Sequence, residues 1–133
     1  MRLTTKSEYS LLALIYIARH EKKGFIKIED ICTEYGISKK YLEQLLLILR
    51  ASGLIRTKTG AKGGYRLAKP AREVSVANIL RLMDGALAPT ESVSRFFFSH
   101  TPLEREKKII RVLKDIRDYV SNKLEKLTLA DLV

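Results

Sequence analysis

The stretch "GISKKYLEQLLLILRASGLIRTKTGAKGGYRLAKP", Gly36 to Pro70, constrains the fold of this chain more than any other. Ser38 is placed to N-cap a helix that runs to about Ser52. Leu42, Leu45, Leu46 and Leu49 recur along it at helical spacing and form one apolar stripe. Gly53 stops that helix. Leu54–Lys58 and Tyr65–Leu67 then read as two short strands, with Gly60, Gly63 and Gly64 supplying a turn that tolerates positive φ. Pro70 closes the hairpin. Upstream, Ile28–Tyr35 fits a short helix with Ile31 inward and Gly36 as its C-cap. Two short helices across a tight glycine turn make a helix-turn-helix, and a hairpin directly after it makes the wing of a winged helix.

The rest of the chain fits around this unit. Ser7–His20 reads as a first helix capped by Thr4 or Thr5, with Leu11, Leu14, Ile15 and Ala18 at helical spacing. Lys22, Lys23 and Gly24 break it, and Phe25 and Ile26 suit a short extended piece. Ser75 can cap a fourth helix through about Met83, ended by Asp84 and Gly85. Residues 86–102 lack periodicity and contain two prolines, so a loop or broken segment is expected. Leu103 to about Leu127 reads as a long helix. Its residues Ile109, Leu113, Ile116, Val120, Leu124 and Leu127 are spaced by 4, 3, 4, 4 and 3, a heptad-like seam. The shorter elements before it already face one another, so a second copy of the chain is the better partner for this seam than the chain itself. The expected fold is mainly α: a winged helix-turn-helix domain with a small β-hairpin wing over residues 1–84, a sensor-loop region over 85–102, and a long C-terminal dimerisation helix with a tail over 103–133.

Composition narrows the class of function. The chain has 133 residues, 46% of them hydrophobic, enough for one real core. No apolar run approaches the roughly 18 residues needed to span a bilayer. Leu11–Ala18 lacks the flanks of a signal peptide, so the cytoplasm is the expected location. A single cysteine, Cys32, excludes an intrachain disulfide framework and a thiolate-only metal site within one chain. The net charge is +10, and it is unevenly placed. Residues 1–73 hold 15 Lys/Arg against 7 Asp/Glu, whereas residues 74–133 hold 10 against 8. That asymmetry favours a localised anion-binding surface on the winged unit over a uniformly lysine-rich exterior.

The candidate residues sit where such a surface needs them. Ser38, Lys39, Lys40, Tyr41, Glu43 and Gln44 lie at the start of the third helix, the end that contacts base edges in the major groove. Gln pairs with adenine and a carboxylate accepts from cytosine N4, whereas lysines suit phosphates. Arg50 extends the helix face, and Arg56, Lys58, Lys62 and Arg66 place four cations on the hairpin beside Thr59, Gly63, Gly64 and Tyr65. Each has a milder reading: solvated helix positions for Glu43 and Gln44, packing for Tyr41, loop solubility for Lys58 and Lys62. In this order and with this local charge they point to double-stranded DNA. No P-loop, Gly-x-Ser-x-Gly or His-Glu-x-x-His occurs, and "GAKGGY" leads into a strand rather than a helix, so an enzyme is not expected.

These residues resemble the Rrf2 (Rrf-two) family of bacterial winged-helix regulators, which includes iron–sulfur-cluster, nitric-oxide and cysteine-metabolism repressors. The resemblance rests on "MRLTTKSEYSLLAL", "GISKKYLEQLL", "GAKGGYRLAKP", "VSVANILRLMDGALAP" and "LTLADLV" and covers nearly the whole chain. It implies a homodimeric transcriptional regulator, usually a repressor, on an inverted-repeat operator. Ser38, Tyr41, Glu43 and Gln44 would read or position DNA, the wing would enter the minor groove, and the long helix would form the dimer.

The sequence departs from the family pattern twice. Where cluster-bearing members often carry Arg before the first wing glycine, this chain has Thr59, flanked by Lys58 and Lys62. Cluster-bearing members also carry three cysteines in the loop before the dimer helix. Here "GALAPTESVSRFFFSHTPLEREKK" has none, and Ser92 stands near the first. Glu8 and His100 remain as oxygen and nitrogen donors, too few for a conventional cluster. No cofactor and no metal are therefore expected, and control would fall to a small-molecule or protein effector or to the protein's own abundance. The alternatives are a cluster-binding redox sensor with non-cysteine ligands and a winged-helix protein-interaction module. Within the sensor loop, Phe96, Phe97 and Phe98 cannot all face one side. They read either as two rings packed on the dimer helix with one partly exposed, or as an apolar pocket or partner surface. Cys32 reads as a small buried hydrophobe or as a redox thiol. His20 suits a helix C-terminus.

Overall fold

The computed structural model describes residues 1–133. Five α-helices and one hairpin follow in the order α1 (Thr5–Arg19), α2 (Ile28–Tyr35), α3 (Lys39–Ala51), β1 (Ile55–Lys58), β2 (Gly64–Leu67), α4 (Val76–Asp84) and α5 (Lys107–Lys126). The strands pair antiparallel with Ile55 opposite Leu67 and Lys58 opposite Gly64. This is the mainly α winged-helix architecture that the sequence implies.

Local chemistry sets the boundaries. Thr4, Ser38 and Ser75 cap α1, α3 and α4, each accepting a backbone N–H three residues on. Gly36 ends α2 in the left-handed region at φ +66°, its N–H bonded to the Cys32 carbonyl at 2.8 Å. That turn aims α3 across α2.

One core joins α1, α2, α3, the hairpin and α4. Leu14, Ile31, Leu42, Leu46, Leu49 and Ile79 are fully enclosed in it. The buried face of α1 differs from the expected stripe. Ser7, Ser10, Ala13, Leu14, Ile17 and Ala18 point inward, while Leu11 and Ile15 are half-buried. Small side chains at 7, 10 and 13 let α4 approach α1 closely, so the contact face turns toward them. Asp84, the last residue of α4, fastens this approach. Its carboxylate accepts from the Thr4 N–H at 3.2 Å and from the Thr4 and Ser7 hydroxyls. Although burial opposes ionisation, these donors hold the Asp84 carboxyl below its ordinary value.

The segment after α4 is irregular, with 3-10 turns at Glu91–Val93 and Pro102–Arg105. The long helix begins at Lys107 rather than near Leu103. A capping box between Thr101 and Glu104 closes a separate turn around Pro102, and Glu106 is not helical (φ −96°, ψ 82°). Arg117 donates to the Val93 carbonyl at 2.9 Å and Arg95 pairs with Asp118 at 2.6 Å, tying the irregular segment to α5. Arg95 and Arg117 together hold the Asp118 carboxyl below its ordinary value. The chain end returns to the main core. Val76 N–H bonds the Leu127 carbonyl, Leu129 N–H bonds the Val74 carbonyl, and Leu129 is fully buried.

The seam on α5 divides. Leu124 and Leu127 pack on a small cluster of Val76, Ala77, Leu80 and Leu87. Ile109 and Ile116, joined by Val112 and Tyr119 on one flank, are exposed, Ile116 by 45%.

Candidate nucleic-acid interface

The face built by α3 and the hairpin follows from the helical repeat. With Leu42, Leu45, Leu46 and Leu49 turned into the core, Lys40, Glu43, Gln44, Leu47 and Arg50 are left on the outer side. All five are exposed, Leu47 by 63%. Ser38 is a structural cap whose hydroxyl accepts from the Tyr41 N–H at 3.5 Å. Tyr41 is half-buried, with its ring edge-on to Tyr9 at 5.8 Å. Lys39 leans toward Glu29 at 3.7 Å. The sequence-derived residues on α3 thus divide: Ser38 and Tyr41 hold the helix start, while Lys40, Glu43, Gln44 and Arg50 are free to meet a ligand.

The hairpin is braced from outside its own sequence. The Ile26 and Tyr65 backbones exchange two hydrogen bonds of 2.8 Å, so a one-residue third strand backs the wing. Lys27 Nζ donates to the Ala61 carbonyl at 2.9 Å and pins the tip. Gly63 and Gly64 serve this packing. A Cβ at 63 would overlap the Lys58 carbonyl, and one at 64 would overlap the Ile26 carbonyl. Gly63 is itself buried, whereas Thr59 and Lys62 are exposed at the tip.

Alternation along the strands sorts the wing side chains. Thr57 and Tyr65 share the face that carries Ile55 and Leu67 into the core, and Tyr65 packs against that core. The Tyr65 hydroxyl is held above its ordinary value by burial, then by Glu43 and Glu29, with Arg50 and Lys39 pulling the other way. Glu43 and Arg50 of α3 thus lie near the base of the wing. Arg56 and Arg66 stand directly opposite one another on the other face of the hairpin. Like charges placed so repel unless an anion lies between or beside them. Phe25 lies 5.8 Å from both Arg56 and Lys58 and supplies an aromatic face to these cations.

Sequence reasoning missed Phe25 and Lys27, for nothing in their neighbourhood marks them as wing supports. It also missed Leu47, although a leucine falling off the 42/45/46/49 stripe is a readable signal.

The irregular segment gives a different picture. Phe96, Phe97 and Phe98 are all exposed, Phe96 by 67%, and of the three only Phe98 borders a groove shared with Ile110 and Arg111 of α5. The bend over residues 95–97 turns them outward, and the Arg81 guanidinium covers Phe96 at 4.6 Å. The Ser92 hydroxyl is buried and accepts from Thr101 at 3.0 Å. His100 Nδ1 lies 2.9 Å from the Glu104 carboxylate. Glu8 is exposed on α1, and Cys32 is half-buried on α2, its thiol held up chiefly by burial. His20 caps α1 and stacks on Tyr16 at 4.1 Å.

A helix-turn-helix with an exposed polar reading face, followed by a cationic wing, defines a winged-helix DNA-binding protein. The Rrf2 family model, described as iron-dependent transcriptional regulator, matches residues 3–133, and the chain belongs to that family. It is 32% identical to the HTH-type transcriptional regulator IscR of Serratia proteamaculans over 100% of this chain and 79% of that one. In structure it is similar to CymR, the global cysteine regulator of B. subtilis (TM-score 0.80, 30% identity, 99% of this chain and 95% of that one). It is likewise similar to the oxidised form of Staphylococcus aureus CymR (TM-score 0.74, 38% identity, 99% and 95%). The chain is a DNA-binding transcription regulator and not an enzyme.

The family description names iron, and the donor set here can be tested against it. No three His, Cys, Asp or Glu side chains converge. The one thiol lies on α2, outside the irregular segment, and Ser92 and His100 are engaged by Thr101 and Glu104. One cysteine, with only hydroxyl, carboxylate and imidazole donors beside it, does not supply the thiolates of a conventional iron–sulfur cluster.

Proposed function

We propose that the chain acts as a homodimeric, sequence-specific repressor on a palindromic operator in the cytoplasm, without a conventional iron–sulfur cluster. The observation that carries this reading is the outer face of α3. Lys40, Glu43, Gln44 and Arg50 project from a helix whose other side is locked into the core, so their positions are preset for a ligand. Glu43 and Gln44 read base edges, while Lys40, Arg50 and the wing cations meet phosphates. Thr59, Lys58 and Lys62 bring the wing tip to the minor groove with less groove-width selectivity than an arginine fork would give.

Dimerisation follows from α5. Ile109, Leu113, Ile116 and Val120 form the stripe that a second copy covers, and Leu124 continues it toward the intrachain cluster. Two-fold symmetry then sets the two α3 helices in grooves about 34 Å apart. The effector is a small molecule or a partner protein acting on residues 85–102, where Phe96–Phe98 offer exposed apolar surface.

Selection from a random duplex pool tests the reading. A repressor enriches one palindrome and binds it about a thousandfold or more tighter than random duplex. A winged-helix protein-interaction module enriches none. Glu43→Ala is expected to broaden the selected motif more than it weakens overall binding.

A further inference from the structure

Leu47 is anomalous on α3. Four other leucines of the helix are at most 2% exposed, whereas Leu47 is 63% exposed. It lies four residues after Glu43 and three after Gln44, and so occupies the same face one turn further on. Arg50 follows it on that face. Nothing else apolar and large shares this surface, and no intrachain neighbour covers it.

A lone leucine on a solvated surface needs no explanation. On a face that is buried against DNA it does. A leucine that enters the major groove displaces water from whatever it meets. Against guanine, adenine or cytosine edges it would strip water from donors and acceptors and return no hydrogen bond. The one apolar group that a base pair projects into the major groove is the C5 methyl of thymine. Leu47 thus favours thymine by contact and disfavours the other bases by desolvation.

We propose that Leu47 is a specificity-determining residue that selects thymine through its C5 methyl, about one helical turn from the bases read by Glu43 and Gln44. The inference rests on the reading of α3 as the recognition helix. The surface around it is mixed as this requires: charged and amide groups at 43, 44 and 50 for polar edges, and a branched aliphatic group between them for a methyl.

The test uses the full-length protein and the duplex that the wild type selects from a random pool. Each thymine is replaced in turn by uracil, which removes only the C5 methyl, and affinity is measured for wild type, Leu47→Ala and Leu47→Met. Burial of one methyl group predicts that wild type loses about fourfold in affinity at one thymine per half-site. Leu47→Met keeps that sensitivity, whereas Leu47→Ala binds the thymine and uracil duplexes alike. Being exposed, residue 47 tolerates both substitutions without loss of fold, and the melting curve checks this. A selected motif with no uracil-sensitive thymine, or an unchanged loss in Leu47→Ala, overturns the role of Leu47 alone. Failure to enrich any motif overturns the reading of α3 together with it.

Discussion

Helices α3 and α5 both carry an apolar stripe, but the chain covers only one of them. Leu42, Leu45, Leu46 and Leu49 of α3 vanish into a core shared with α1, α2 and the hairpin. On α5 only the C-terminal end of the stripe finds cover, where Leu124 and Leu127 meet α4. Ile109, Val112, Ile116 and Tyr119 remain open. The two helices therefore have different duties. Complete intrachain packing fixes α3 rigidly and leaves its polar side free for a ligand. Incomplete packing leaves α5 with an open apolar stripe, the surface that the proposed dimer would cover.

The contrast can be broken at either helix. Ile116→Glu puts a charge in the open stripe and leaves the α3 core untouched. It is expected to yield folded monomers and to weaken binding to a two-half-site duplex by about a hundredfold or more, through lost avidity. Sedimentation and titration on one- and two-half-site duplexes measure this. Leu49→Ala strikes the other helix. It removes a fully buried side chain and is expected to cost about 2–5 kcal/mol of unfolding free energy in urea titration, with the α5 stripe intact.

Smaller effects sharpen the account of the wing and of the α1–α4 clasp. Gly64→Ala sets a Cβ against the Ile26 carbonyl at a φ of +145°, and it is expected to cost about 1–3 kcal/mol. Faster hydrogen exchange at Ile26 and Tyr65 would report the loosened wing. Asp84 links α4 to the start of α1, and its folded-state carboxyl lies below the ordinary value. Its contribution is thus present above the unfolded-state pKa near 4 and is lost as pH falls through the lower, folded-state value. Asp84→Asn is expected to lower stability at neutral pH by about 1 kcal/mol after solvent screening and to flatten the acid limb of the stability curve. Denaturant midpoints between about pH 2 and pH 7, which bracket the carboxylate pKa values, would show it.

Much of this architecture is legible in the residues, and for definite reasons. The winged unit is marked by local signals: serines at helix starts, a glycine after α2, a leucine stripe, a glycine-rich tip. Each acts over a few residues, so sequence alone shows it. What sequence hides is long-range. Lys27 on the Ala61 carbonyl, Ile26 as a third strand and Leu129 in the core unite residues distant along the chain. The rotated face of α1 depends on how closely α4 approaches. The late start of α5 is not legible because the capping box at Thr101 opens a separate turn over Pro102–Arg105, and only the non-helical backbone of Glu106 divides that turn from α5. In the interface, the charged positions are legible because cations cluster. Leu47 is marked in the sequence only by falling off the 42/45/46/49 stripe, and its 63% exposure is what sets it apart from the four buried leucines.

The most direct test of the central claim is the stoichiometry of the DNA complex, measured by sedimentation on the selected palindrome and on the same duplex with five base pairs added between half-sites. The account predicts two chains on the palindrome, held together through α5. It also predicts a large loss of affinity for the spaced duplex, because half a helical turn moves one groove to the far side. One chain per duplex, or equal affinity for both spacings, would contradict it.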